Sequence, residues 1–294
     1  MQTMNSKVQS LKAFLGGAGQ LALVEVAGTK GSTPREKGAF MLVSQAAIFG
    51  TIGGGQLEYM AIDKARQMVG TRIEVDEICA TLDIPLGPEI GQCCGGRVEV
   101  LIRLIDRTIE QRLIAEAESE EAHLPYVYIF GGGHVGQALA ATIALLPVQA
   151  VVIETRAEAL EGMPETVETR LTPMPEAEIR KAPAGTAFAI VTHDHALDFL
   201  IVAEALKRDD TAYVGMIGSK TKKATFRNWF LRSAEGTAAE FARLVSPIGG
   251  DAVKDKRPQV IAALAAAEIM TALVVHAAAS NADHQIQQDK VMAG

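Results

Sequence analysis

Two adjacent thiols, Cys93 and Cys94, sit between glycines in Gly91-Gln92-Cys93-Cys94-Gly95-Gly96. Neighbouring cysteines meet disulfide geometry poorly across one peptide bond, so internal pairing is disfavoured. The pair reads either as two small buried hydrophobes or as a thiol site for sulfur chemistry or a soft metal. Flanking glycines favour the site, because they let the backbone approach a ligand closely. A second group lies further on, where Gly131-Gly132-Gly133-His134-Val135-Gly136 fits G-x-G-x-x-G at Gly131, Gly133 and Gly136. Glu154 follows 23 residues after Gly131, where an acid would hold a ribose hydroxyl.

Other candidates are softer. Gly28 to Gly38 mixes glycines, hydroxyls and cations, Arg35 among them, and reads as an anion-binding loop. Gly53-Gly54-Gly55 before a helix is a second anion-cradle candidate, set against a plain turn and cap. His193-Asp194-His195 offers a ligand pair without a third, or a helix-capping loop, with Asp194 and His195 as acid–base candidates. Ser219 and Lys220 open a basic cluster with Lys222, Lys223 and Arg227 that reads as a solvated face or a phosphate clamp. No nucleophile-elbow, Walker or zinc-type cysteine spacing occurs.

The elements that must carry these residues follow from periodicity. Arg97 to Leu104 alternates cleanly, with Val98, Val100, Ile102 and Leu104 on one face. Before it come a short helix near 5–15, a strand from Leu21 to Ala27, a hairpin from Phe40 to Val43 and Ala47 to Phe49, and a helix to about Val69. A strand is expected from Arg72 to Thr81, then a loop from Leu82 to Ile90. Asp106 to Glu121 reads as a charged connector helix. Strands then alternate with helices: 126–130, 150–153, 187–192 and 211–217, with a helix from Pro258 closing the chain. The expected fold is α/β. A small mixed α+β domain (1–105) and a connector (106–125) precede a Rossmann-like, doubly wound parallel-sheet domain (126–294). Glu154, His193 to His195 and Gly218 to Lys220 all fall at carboxyl ends of strands, where open parallel sheets bind ligands.

Composition narrows the classes. The 294 residues carry a net charge of −7, from 28 basic and 35 acidic residues, with 5% aromatics. That argues against a nucleic-acid surface. Three cysteines make no disulfide framework and suit a reducing cytoplasm. The N-terminal apolar stretch is broken by glycines and lacks a cleavage pattern, so no signal peptide is expected. Ile261 to Ala279 is Ala-rich, carries Glu268 and His276, and reads as a buried helix rather than a membrane span.

These stretches together resemble the XdhC/CoxI family. The resemblance rests on Gly31-Ser32-Thr33-Pro34-Arg35, Gly50 to Glu58, Gly91 to Gly96, Phe130 to Gly136, Thr192 to His195, Tyr213 to Lys220 and Ser246-Pro247-Ile248-Gly249. They span nearly the whole chain in family order, and the family pattern departs after Gly249. The resemblance implies a molybdenum-cofactor (molybdopterin) chaperone, a non-catalytic factor in purine catabolism. Such a protein supports sulfuration of the cofactor with a cysteine desulfurase and delivers it to apo xanthine dehydrogenase. On that reading Cys93 and Cys94 contact or protect the molybdenum centre, the glycine loops suit the phosphate, and a homodimer is expected. From the chain length, no appended nucleotidyltransferase domain and no cytidylyl transfer to the cofactor are expected. The alternatives are an NAD(P)-dependent oxidoreductase built on the fingerprint and Glu154, and a sulfurtransferase carrying a persulfide on Cys93 or Cys94. A nucleotide in the Rossmann domain is compatible with the first.

Overall fold

The computed structural model describes residues 7–17, 19–70, 79–87 and 95–292, with side chains in the last helix described through Ser280 and at Ala282. The chain divides into two compact units, residues 5–122 and 123–294.

The first unit is an antiparallel sheet with helices on both faces. Its elements are α1 (Lys7–Gly17), β1 (Ala22–Lys30), β2 (Phe40–Val43), β3 (Ile48–Gly50), α2 (Gly55–Gly70), β4 (Cys79–Pro85), β5 (Arg97–Leu104) and α3 (Arg107–Ala122). The strand order is β3-β2-β1-β5-β4. Alternation assigns the faces. Val24, Val26, Met41, Val43, Val98, Val100 and Ile102 face Leu57, Ala61 and Ala65 of α2. Leu23 and Leu42 point the other way, onto Leu11 and Leu15 of α1 and Leu113 and Ala117 of α3. The charged stretch read as a connector therefore contributes α3 to this unit, tied to α1 by Lys7–Glu120 and Lys12–Glu118 pairs.

Two boundaries differ from expectation. β1 continues through a bulge between Val26 and Gly28 until Lys30 pairs with Arg97, so the polar loop starts three residues later than its composition implies. β4 runs on to Pro85, opposite Arg97. Its place at the sheet edge tolerates a proline with no amide to donate. The expected strand start at Arg72 lies outside the described residues.

The second unit comprises β6 (Tyr126–Phe130), α4 (His134–Ile143), β7 (Gln149–Glu154), β8 (Glu168–Leu171), α5 (Glu176–Lys181), β9 (Ala187–Ile190), α6 (His195–Lys207), β10 (Tyr213–Met216), α7 (Lys220–Ser233), α8 (Ala238–Ala242), β11 (Leu244–Val245) and α9 (Pro258–Met292). The strands are ordered β11-β10-β9-β6-β7-β8 and every pairing is parallel. Counted from β6 this is the 3-2-1-4-5-6 order of the dinucleotide-binding fold, whose direction of winding reverses between β6 and β9. Val127 and Ile129 pack towards α4 and α9; Tyr128 and Phe130 pack towards α5, α6 and α7.

The Ala-rich helix is not wholly buried. Ala262, Ala265, Ala266, Ile269 and Leu273 form an inward stripe against Leu139, Ala140 and Ile143 of α4, while Val274 and Val275 are exposed. Among the described residues its Pro258–Ser280 stretch alone is long and apolar enough to cross a membrane, and small residues on the inward stripe let it lie close to α4.

Candidate functional site

In the first unit three glycine-bearing loops meet at one end of the sheet. Gly31 and Gly95 both take left-handed backbone angles. A side chain on Gly96 would strike the Ser32 carbonyl at 2.1 Å, and one on Gly53 would strike Pro34 at 2.5 Å. The loop after β4 is closed at its base, where Leu86 N–H donates to Gly96 and Gly95 N–H donates to Leu86, at 2.8 and 2.9 Å. Cys93 and Cys94 lie outside the described residues. Gly95, the next residue in sequence, is exposed with open space around it, and Arg35 is exposed beside Gly53. Cys79 is remote from this end. It pairs with Arg103 while Pro85 pairs with Arg97, which separates it by about 20 Å of strand.

The Gly53-Gly54-Gly55 loop is not an empty anion cradle. Its three glycines have positive φ, but its amides turn onto the chain's own Glu58. Glu58 Oε1 accepts from the amides of Ile52 at 2.9 Å and Gly53 at 3.2 Å and from the Thr51 hydroxyl. Burial opposes ionisation of Glu58; the Thr51 hydroxyl and the Gly54, Ile52 and Gly53 amides outweigh it and hold the carboxyl below its ordinary range.

In the second unit the glycine loop and the loop after β9 flank the switch point. Gly131 has φ of 110° and lies against the backbone, since a side chain there would meet the Val191 carbonyl at 2.8 Å and Thr192 at 2.9 Å. Gly136 lies over Gly131, whose carbonyl would be 1.8 Å from an added Cβ. Gly132 is closed off in the same way by Ala159. Gly133 is different. Its φ of −71° and ψ of −172° suit any residue, and no atom lies within 4 Å of a Cβ built on it. Neither its conformation nor its packing requires glycine, and the open space above it adjoins the uncapped first turn of α4, where amide donors favour anions. The helix starts at His134, inside the glycine fingerprint itself.

Glu154 does not present a free carboxylate. It is 4% exposed. One oxygen accepts from Gly132 N–H at 2.8 Å and from the Arg156 guanidinium at 3.3 Å; the other takes the Thr155 amide and hydroxyl and the Arg156 amide at 2.7, 3.0 and 3.2 Å. Burial pushes its pKa up, but the Gly132 amide, the Arg156 guanidinium and Thr155 bring it down to about 2. The acid expected to hold a ribose instead fastens the glycine loop to β7, and Arg156 covers it.

His193 to His195 is a capping loop rather than a metal pair on a strand. β9 ends at Ile190, and Asp194 caps α6 by accepting from Ala196 N–H at 2.8 Å and Leu197 N–H at 3.2 Å. These amides hold Asp194 below its ordinary range, which disfavours it as a general acid. Among the described residues no group of three or more His, Cys, Asp or Glu could hold a metal. The basic cluster also divides. Ser219 caps α7, accepting from Lys222 N–H at 3.2 Å. Lys220 is 85% exposed and pairs with Asp251. Lys223 and Arg227 stack on Phe241. Lys222 turns inward, onto Asp198.

Asp198 is the residue that sequence reasoning missed. It is fully buried, accepts from the Thr192 hydroxyl at 2.6 Å and amide at 3.2 Å, and takes Lys222 on its other oxygen. The signal was present, because Asp198 is an acid among Leu197, Phe199, Ile201 and Val202 on the sheet-facing side of an apolar helix.

Comparison with known proteins bears on both units. The family model described as the XdhC Rossmann domain matches residues 127–269, and that of the XdhC and CoxI family matches residues 17–75. The chain belongs to the XdhC and CoxI family. The matches take in the loops at 31–35, 50–58, 131–136 and 192–195, whereas Gly91 to Gly96 falls between them. The chain is similar to YqeB of Escherichia coli K12, described as uncharacterized, with 26% identity over 258 residues. That alignment covers 85% of this chain and 43% of YqeB, so the chain spans less than half of that relative. The fold is shared with a crystal structure described as a xanthine dehydrogenase from Bacillus halodurans. The TM-score is 0.75 at 18% identity, covering 92% of this chain and 96% of that one.

Proposed function

We propose that this protein binds the molybdenum cofactor and delivers it to apo xanthine dehydrogenase, with a cysteine desulfurase supplying sulfur while the cofactor is held. The observation that carries the reading is the pairing of two units, each matched by the family, in which glycine loops gather at one end of a sheet. The residues fit the group chemically. The cofactor supplies a dithiolene-bound metal, a pterin and a phosphate. Gly95, open and next in sequence to two soft thiols, suits the metal end. Arg35 and the Gly31 to Ser32 turn offer a cation and close backbone approach. In the other unit, and independently, the open space over Gly133 suits the phosphate of a nucleotide at the start of α4.

An NAD(P)-dependent oxidoreductase is less favoured. It needs a carboxylate free to take a ribose diol, and both Glu154 oxygens are already engaged by protein donors. Delivery is tested by mixing the protein, purified from a molybdenum-replete host, with apo xanthine dehydrogenase. Xanthine oxidation should appear in proportion to the added protein and carry its molybdenum with it. Equal activation by free cofactor at the same concentration would refute a delivery role.

A further inference from the structure

The Asp198–Lys222 pair is used by nothing described so far. Asp198 is fully buried and the Lys222 side chain is 8% exposed. Burying two charges is expensive, and a buried ion pair adds little stability over apolar residues of the same size. Its place is informative. Asp198 lies in the first turns of α6, after β9, and Lys222 in the first turn of α7, after β10. One carboxylate therefore ties together two loops at the ligand-binding edge of the sheet.

The tie reaches a third loop. Asp198 fixes Thr192 through both its amide and its hydroxyl. Thr192 in turn orders the next turn, since its hydroxyl, with its proton given to Asp198, accepts from Asp194 N–H at 3.1 Å. The Thr192 backbone is also the surface against which Gly131 rests. Gly218, with no side chain, admits the Lys222 stem, which would lie 2.6 Å from an added Cβ. Lys222, Asp198, Thr192 and Gly131 thus form a continuous line of contacts across the ends of β10, β9 and β6.

We infer that Asp198 and Lys222 are positioning residues that fix the Thr192 to His195 loop against the Gly131 to Gly133 loop, and so set the opening of the crevice at the switch point. Its functional meaning rests on the crevice taking a ligand, as proposed above; the positioning itself does not. Lys222→Met removes the tether and leaves Asp198 without its counter-charge. Hydrogen exchange of the full chain without ligand, followed by mass spectrometry, reads the result.

Peptides covering 130–137 and 191–198 should exchange about tenfold faster or more in Lys222→Met. Peptides from β7 should keep their rate, and Lys220→Met, which removes an exposed lysine from the same helix, should change nothing. Acceleration confined to 191–198 would overturn the inference, because the pair would then hold only its own loop. Equal acceleration in β7 would overturn it as well, by showing a general loss of stability. Thr192→Val keeps the ion pair and the side-chain shape. It should give the same regional pattern at smaller amplitude, and unchanged exchange at 130–137 in that variant is decisive against the inference even if Lys222→Met does not fold. A protein without pterin would remove the cofactor reading and leave these rates as they are.

Discussion

Two glycines of one loop should respond oppositely to the same methyl group. In Gly136→Ala the new Cβ would lie 1.8 Å from the Gly131 carbonyl oxygen and 2.9 Å from its carbon. Relieving that contact requires the glycine loop or α4 to move by more than an ångström, and overpacking of this kind costs about 1–3 kcal/mol. Alanine regains about 1 kcal/mol of helix propensity, so the net loss should be up to about 2 kcal/mol. In Gly133→Ala nothing lies within 4 Å and the backbone angles suit alanine. Alanine is the poorer N-cap by about 0.5 kcal/mol, and the stiffer unfolded chain offsets about 0.4–1 kcal/mol. Stability should stay within about 0.5 kcal/mol of the parent. Urea denaturation gives the first readout, and the nucleotide retained by the purified protein, released by denaturation and read by chromatography, gives the second. Gly136→Ala should lower the denaturation midpoint. Gly133→Ala should keep it and lose most of the ligand held at the start of α4. If Gly133→Ala were as unstable as Gly136→Ala, the argument from open space would fail. If it were stable and kept its full nucleotide content, the space would have no ligand role.

Three further outcomes follow from the carboxylates. Glu154 titrates near 2 against an ordinary value of 4.5, so it stabilises the fold above about pH 4.5 and loses that contribution as the pH falls towards 2. Glu154→Gln should cost up to about 2 kcal/mol at pH 7, with the gap to the parent narrowing at pH 3 in matched denaturation curves. Glu58→Ala should cost about 1–3 kcal/mol by leaving the amides of Ile52 and Gly53 without their acceptor, and it should speed hydrogen exchange at 50–55. Asp194→Ala should lower the denaturation midpoint slightly as a lost helix cap while pterin content is unchanged; loss of pterin at parental stability would show that Asp194 contacts ligand.

What could be read in advance was whatever repeats along the chain. Val98, Val100, Ile102 and Leu104 alternate without interruption, and β5 has the expected ends. The parallel half was legible from its apolar strands and glycine turn, because strands buried on both faces admit few polar residues. Boundaries set by partners were less legible. Gly28 to Lys30 is polar and loop-like in composition, yet β5 supplies the hydrogen bonds that extend β1. β8 is a short edge strand whose Glu168, Thr169 and Leu171 are exposed, so it carries no apolar rhythm. At the sites, residue types were legible but their engagements were not. Glu154 looked free to hold a ribose and the Gly53 to Gly55 loop looked free to hold an anion; instead Glu154 and Glu58 accept from the amides of these loops. Spacing brings an acid near an amide; only the fold decides whether the amide is spent on it. Asp198 was hidden for the converse reason, since its partners Thr192 and Lys222 come from the ends of different strands.

The most direct test is the molybdenum and pterin content of protein purified from a molybdenum-replete host, beside the Cys93→Ala/Cys94→Ala variant. Molybdenum is read by elemental analysis and pterin by the fluorescence of its oxidised form. Near-stoichiometric metal and pterin in the parent, lost in a variant that stays folded, is the predicted result. No pterin in the parent, even after incubation with free cofactor, would contradict the account.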